Sequence, residues 1–432
     1  MQNFLKADEL TRRQFMTNAA RTYLGVHLFP MLGSTLATAA PVGINEAKKA
    51  KHVIYLFMSG GMSHIDTFDP KPKKKDIMGK TEAIATNVDG LMLGHYLKNT
   101  AGVMDKLCVI NSMNSTQGAH EQGAYTMHTS YDLRGTLKHP SLGAWVTKLG
   151  GRLHPELPAF VAIDSPPDLT GGGFFGAKYA AAPIGSAEDG LQDSHFADGV
   201  TPVDFQRRLS LADKLNRQFH ERYPNADVQA YEELYREAIA LMNSKDLNAF
   251  DIGQESEATR KLYGPGRFAQ ACLLARRLVQ NGVRFVEVQL GGWDTHYDNF
   301  TGVEGRCKEF DQAYAALIAD LEKTGKLQDT LVVVATEFGR TPEIKAEHQN
   351  GRDHHPNAFS CVLAGGGIKG GIKHGVTDAS GEKVKDGQVS VQDFNATIAH
   401  ALGLPLDTIL MSPTKRPFKM ADKGVPVSAV FS

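Results

Sequence analysis

Val283-Arg284-Phe285-Val286-Glu287-Val288-Gln289-Leu290-Gly291-Gly292-Trp293-Asp294-Thr295-His296-Tyr297-Asp298 is the stretch from which the fold can be read. Its first half is an apolar run with alternating faces, which predicts a strand. The two glycines let the backbone turn sharply. Two carboxylates and an imidazole then follow within Asp294–Asp298. Oxygen and nitrogen donors grouped at a strand end suit a divalent cation. Taken alone, the same residues also fit a loop with a helix N-cap aspartate and a surface histidine. Recurrence of the pattern elsewhere in the chain favours the cation.

Lys51 to Met58 is the first such recurrence. Its continuous apolar core predicts a parallel strand covered on both faces. It runs into Ser59-Gly60-Gly61-Met62-Ser63-His64-Ile65-Asp66-Thr67-Phe68-Asp69-Pro70. Further strands are expected over Leu107–Ile110, Pro158–Ile163, Leu331–Thr336 and Ser360–Ala364. Helical spacing covers His120–Ser130, Asp204–Leu215, Ala230–Met242, Arg267–Gln280, Phe310–Leu321 and Val391–Leu402. Alternating strands and amphipathic helices predict an α/β fold with a mostly parallel sheet. In such sheets ligands bind beyond the carboxyl ends of the strands.

The chain has 432 residues, enough for one large domain or two. Its net charge of -1, with no basic block, excludes nucleic acid as an expected partner. Cys108, Cys272, Cys307 and Cys361 form no C-x-x-C pair, so no cysteine zinc site is expected. Cys108 and Cys361 sit in apolar runs and are expected to be buried. Pairing of Cys272 with Cys307 in an oxidising compartment stays open.

Near the amino end, Thr11-Arg12-Arg13-Gln14-Phe15-Met16 matches a twin-arginine export signal. A weakly apolar region, Tyr23 to Leu36, precedes the small-residue pattern Ala37-Thr38-Ala39. With His27, Pro30 and Gly33 it is too polar and too short for a stable membrane span. The expected organisation is a signal at 1–39, read by the twin-arginine translocase, and a single mature domain at 40–432. The expected location is the periplasm or another site outside the cytoplasm.

Four clusters could carry chemistry. Ser59, His64, Asp66 and Asp69 follow the first strand, and His120 with Glu121 opens a helix. Asp294, His296 and Asp298 form the third. Glu337 with Arg340, followed by Asp353-His354-His355, forms the fourth. Together they hold enough donors for two metals, the arrangement that clamps attacking and leaving oxygens in phosphoryl or sulfuryl transfer. Asp294 and Glu337 lead as metal ligands, each just past an apolar strand. His296 and one of His354 or His355 come next, because adjacent imidazoles rarely ligate one ion. The other of that pair then contacts substrate. His64 and Asp66 are ligands or members of a turn network. Asp69, before Pro70, is structural. Arg340 either binds an anionic oxygen pair or pairs with Glu337. His128 reads as a packed core histidine.

Ser59 to Lys71, Gly291 to His296, Thr336 to Pro342, Gly351 to Pro356 and Gly176-Ala177-Lys178-Tyr179 resemble the bacterial family known as domain of unknown function 1501. The resemblance covers essentially the whole mature chain. That family looks like a branch of the alkaline phosphatase and sulfatase superfamily. The resemblance implies an alkaline phosphatase-like α/β/α sandwich with a metal site at the strand ends. It places the nucleophile region at Asn114-Ser115-Thr116-Gln117-Gly118-Ala119-His120. Two departures are visible: the sulfatase signature Cys/Ser-x-Pro-x-Arg is absent, and Glu337-Phe338-Gly339 stands where the superfamily carries Asp-His-Gly.

The expected function is an exported metal-dependent hydrolase of phosphate or sulfate esters. Its substrate would be an anionic ester such as a sulfated or phosphorylated glycan. Its cation would be zinc, calcium or manganese. Ser115 or Thr116 would supply the hydroxyl nucleophile, or His120 would act as ligand, base or nucleophile, with Arg340 holding the anion. The alternative is a non-catalytic metal-binding, glycan-binding or assembly protein on the same fold.

Overall fold

A computed structural model of the chain describes residues 50–191, 199–222, 239, 241–242 and 244–432. The twin-arginine signal expected at 1–39 and most of the helix expected over Ala230–Met242 lie outside the described residues.

Strand β1, His52–Met58, is buried along its whole length. Val53, Tyr55 and Phe57 enter one apolar cluster, while Ile54, Leu56 and Met58 enter another on the opposite face. Alternate side chains of a strand point to opposite faces, so a strand covered twice has no polar side. Along the chain follow β2 (Leu107–Asn114), β3 (Phe160–Ile163), β4 (Ala182–Ile184), β5 (Phe285–Leu290) and β6 (Thr330–Ala335). A short ribbon, β7 (Gly339–Arg340) and β8 (His354–His355), precedes β9 (Phe359–Ala364), β10 (Ile372–His374) and β11 (Val389–Ser390).

The main sheet has nine strands in the order β10-β2-β9-β6-β1-β5-β3-β4, with β11 also beside β2. Only β9 runs antiparallel to its neighbours, β2 and β6. The other pairings in the sheet are parallel. The longer helices are α1 (His120–Thr129), α2 (Leu142–Gly150), α3 (Pro202–Arg222), α4 (Arg267–Gln280), α5 (Asn299–Lys323) and α6 (Val391–Ala401). α4 and α5 pack on one face of the sheet, and α1, α2 and α6 on the other. The protein is therefore an α/β/α sandwich on a mostly parallel sheet; the sheet is the one its strand and helix pattern predicts, and the sandwich is the one the family resemblance implies.

Two helices differ from expectation. α5 begins at Asn299, well before Phe310. Gly302 and Gly305 mask its first turns, and Gly302 is there for packing: a Cβ would lie 2.8 Å from the Thr295 Cγ2 methyl. α2 was not expected, because its short run is apolar nearly all round. Ser141 caps it, accepting the Ala144 amide. All four cysteines are free and buried, so Cys272 and Cys307 are not paired. Among the described residues, no helix is long and apolar enough to cross a membrane.

Candidate metal centre

Strands β6, β1 and β5 lie side by side and parallel, with Met58 level with Leu290 and Phe57 level with Ala335. The loops after these strands therefore leave the sheet at one edge. β2 shares their direction, and its exit loop delivers His120 as the first residue of α1. The β7–β8 ribbon pairs His354 with Arg340 and brings that histidine to the same edge.

Glycines let these loops touch. Gly60 has φ +117°, and a Cβ there would lie 2.5 Å from the Asp294 amide nitrogen. A Cβ on Gly351 would overlap the His296 carbonyl oxygen. The loop after β1 thus seats against Asp294, and the chain before β8 seats against His296.

Four side chains meet there. Asp294 Oδ1 lies 3.3 Å from His120 Nε2, 3.3 Å from His296 Nε2 and 3.5 Å from His354 Nε2. His296 Nε2 and His354 Nε2 are 2.9 Å apart. Donors about 2.05 Å from a tetrahedral zinc stand roughly 3.3 Å from one another. Among the described residues, His120, Asp294 and His354 form a group whose ligand atoms all lie within 4.8 Å of one another, and His296 Nε2 lies within that distance of two of them.

Each imidazole is held from behind. His120 Nδ1 is 2.7 Å from Glu337 Oε1. His296 Nδ1 is 2.9 Å from Asp353 Oδ1, and His354 Nδ1 is 2.8 Å from the Gly118 carbonyl oxygen. A proton on each Nδ1 leaves the Nε2 lone pairs facing the centre, which is how metal-ligating histidines are oriented. Among the described residues, His120 Nε2 is buried without a hydrogen-bond partner, the Asp294 carboxylate standing 3.3 Å away. That orphaned atom and the tethered Nδ1 atoms fit a divalent cation.

The electrostatics agree. Burial, then the charges of Arg340, His120 and His296, push His354 below the ordinary histidine value, so it is a neutral donor. The Glu337 hydrogen bond, against burial, raises His120. Burial alone would raise Asp294, but the Arg340 guanidinium and the nearby His120 and His296 outweigh it and keep it ionised.

The remaining expected residues fall elsewhere. Glu337 stands behind His120 rather than beside Asp294, and its Oε1 also accepts the Gly60 amide at 2.8 Å. Arg340 is fully buried. Its guanidinium donates to the carbonyls of Gly60, Gly61 and Arg352 and, at 2.5 Å, to Asp294 Oδ1. With its donors committed inside the protein, the expected anion clamp is corrected to a tie between loops; its partner is Asp294, not Glu337.

His64, Asp66 and His355 are not brought to the cluster. His64 is buried, with Nε2 on the Gly381 carbonyl, and its ring stacks on His355. His355 Nε2 meets the Glu382 carbonyl. Asp66 is buried with Arg352, at 2.9 Å. Ser115 Oγ accepts the Gln117 amide at 3.1 Å, and Thr116 Oγ1 accepts the Gln117 side chain at 3.4 Å. Among the described residues neither hydroxyl bonds to the four-residue cluster. Asp298 precedes α5 in the left-handed region, φ 45°. His128, expected in the core, is buried against Glu287 at 3.1 Å.

Sequence reading did not single out the Gly118 carbonyl, Asn299 or Arg352. Asp353 was visible beside His354, but its role behind His296 was not. Nothing in the spacing of Arg352 marks its partner.

A family model described as "Protein of unknown function (DUF1501)" matches residues 50–431. Nothing among the curated proteins matches the sequence. Among solved structures, a variant of the alkaline phosphatase PafA matches at 9% identity and TM-score 0.43, over 89% of this chain and 99% of that one. The lipoteichoic acid synthase LtaP from Listeria monocytogenes matches at 10% identity and TM-score 0.37, over 90% and 79%. The PsFucS1 sulfatase from Pseudoalteromonas sp. matches at 14% identity and TM-score 0.36, over 88% and 74%. Likenesses this distant carry no argument about chemistry, which rests on the residues themselves.

Proposed function

The chain belongs to the family of proteins of unknown function DUF1501, and on that premise we propose that it is a metal-dependent hydrolase of phosphate or sulfate esters. The observation that carries this reading is the convergence of three imidazole Nε2 atoms within 3.5 Å of one Asp294 oxygen. His120, Asp294, His296 and His354 are the residues that would hold the cation. A zinc or manganese ion there would supply Lewis-acid polarisation of the ester and of an attacking water.

The chain's own residues set the charge. Asp294, Glu337 and Asp353 are opposed by Arg340 and by Lys345, which pairs with Asp353. A divalent cation added to that near-balance makes the centre attractive to an anionic ester, such as a sulfated or phosphorylated glycan. Glu337 and Asp353 keep the protons of His120 and His296 on Nδ1. With the Ser115 hydroxyl turned to Gln117, water is the nucleophile we favour. The proposal includes export by the twin-arginine route and work in the periplasm, supported by Arg12-Arg13 and the cleavage pattern at Ala37–Ala39.

The test is metal content, and turnover of aryl phosphate, phosphodiester and sulfate esters, for wild type and Asp294→Asn. Bound metal with metal-dependent turnover that the variant lacks supports the proposal. Bound metal with no turnover on any ester favours the second reading, a non-catalytic metal or glycan binder. That neither the Ser115 nor the Thr116 hydroxyl bonds to the cluster among the described residues is the observation on that side.

A further inference from the structure

Beneath the four donor side chains lies a second polar group that the proposed chemistry does not use. Asp66 and Arg352 are both fully buried. Asp66 accepts Arg352 Nε at 2.9 Å and Nη2 at 3.2 Å, the Ser63 hydroxyl at 2.5 Å, the Thr81 hydroxyl at 2.6 Å and Asn299 Nδ2 at 3.0 Å. Asn299, also fully buried, accepts the Thr295 hydroxyl at 2.7 Å. Thr295 stands between Asp294 and His296. Arg352 reaches the same residue by another path, since its amide donates to the Thr295 carbonyl at 3.0 Å. Its guanidinium also donates to the carbonyls of Thr341 at 3.0 Å, Pro342 at 2.6 Å and Ile77 at 2.6 Å.

A buried ion pair is a poor way to add stability, because desolvation offsets most of its attraction. Its better-attested use is to fix register. Here the pair touches the loop after β1, the loop after β5 and the β7–β8 connection, which carry Asp294, His296 and His354, and leaves out the loop after β2 that carries His120. We infer that Asp66, Arg352, Asn299 and Thr295 form a positioning frame that sets the spacing of the Asp294 and His296 donor atoms. The inference rests on the cluster being a metal centre. The Thr295 side chain contacts the frame through its hydroxyl, and its methyl fits the hollow at Gly302. That separates hydrogen bonding from packing at a single residue.

The experiment uses cobalt(II) as the probe, reading affinity by chelator competition, the visible absorption band, and Tm. Thr295→Val keeps the shape and removes the hydroxyl; Thr295→Ser keeps the hydroxyl. Glu255→Gln is the stability control, because it breaks the buried Glu255–Arg276 pair, 2.8 Å apart, which ties α4 to the chain before it and lies outside the donor loops. The expected result is cobalt affinity about 10- to 100-fold lower in Thr295→Val, the loss usual for an outer partner of a ligand, with a shifted absorption band. Thr295→Ser should stay within about two-fold of wild type, and Glu255→Gln should lower Tm without changing affinity. If Thr295→Val does not fold, Arg352→Lys, which keeps the charge and loses the fork, carries the same expectation. Wild-type affinity in the variant tested, or an equal affinity loss in Glu255→Gln, overturns the frame while leaving the metal reading intact. Failure of the wild type to bind cobalt overturns both.

Discussion

Nδ1 of His120 lies 2.7 Å from Oε1 of Glu337, and the same oxygen accepts the Gly60 amide at 2.8 Å. One buried carboxylate therefore orients the imidazole at the head of α1 and ties down the turn after β1. Glu337→Gln keeps the side chain's shape but removes the charge that favours a proton on Nδ1. We expect metal affinity to fall about 10- to 100-fold, measured by competition with a chromogenic chelator. Unchanged affinity would mean that His120 does not bind the cation through Nε2.

The same pair gives a pH signature. The Glu337 hydrogen bond raises the His120 pKa above its ordinary 6.5. A raised folded-state value stabilises the metal-free protein fully below the unfolded value, and that stability fades as pH rises through the folded value. Cation binding runs the other way, since the Nε2 proton must leave first. The Tm difference between zinc-loaded and chelated protein should therefore widen from about pH 6 to about pH 8. A gap that is flat or narrows over that range would contradict the ligand assignment.

His64 carries the opposite dependence. Burial pushes its pKa down to about 4 from 6.5. Above about pH 6.5 it is neutral in both folded and unfolded chains. Below that the unfolded chain takes up a proton that the folded one refuses, so stability is lost progressively down to about pH 4. The shift corresponds to about 3 kcal/mol. Urea midpoints for wild type and His64→Gln across this window should show a shallower acid slope in the variant. His139, also lowered to about 4 by burial, leaves a residual slope in both.

Sequence pattern carried the sheet further than the site, for a physical reason. Apolar strands announce their burial, and glycine turns announce their carboxyl ends, so Asp294, His296 and Glu337 could be placed at one edge. Spacing does not say which way a side chain turns there. Glu337 faces His120 because the Gly60 amide and the His120 ring both reach its Oε1. Asp66 turns inward because Arg352, far along the chain, lies beneath it. His354 and His355 point to opposite sides of a two-residue strand, one to the cluster and one to the Glu382 carbonyl. Their alternation was readable; which of the two faces the donors depended on the pairing of β8 with β7.

The nucleophile is the point where that limit bears most on function. A hydroxyl that attacks an ester must be freed for the reacting atom and must stand near the groups that polarise it. Ser115 Oγ instead accepts the Gln117 amide at 3.1 Å, which stabilises the turn into α1, and Thr116 is exposed. His120, five residues on, is the residue from this segment that reaches Asp294. Ser115→Ala and Thr116→Ala should therefore leave ester turnover within about three-fold of wild type, while His120→Ala lowers it by more than about 100-fold. A covalent route through either hydroxyl predicts instead that one alanine variant is as inactive as His120→Ala, with metal content unchanged. Steady-state rates on one aryl ester, with metal measured on each sample, separate the two.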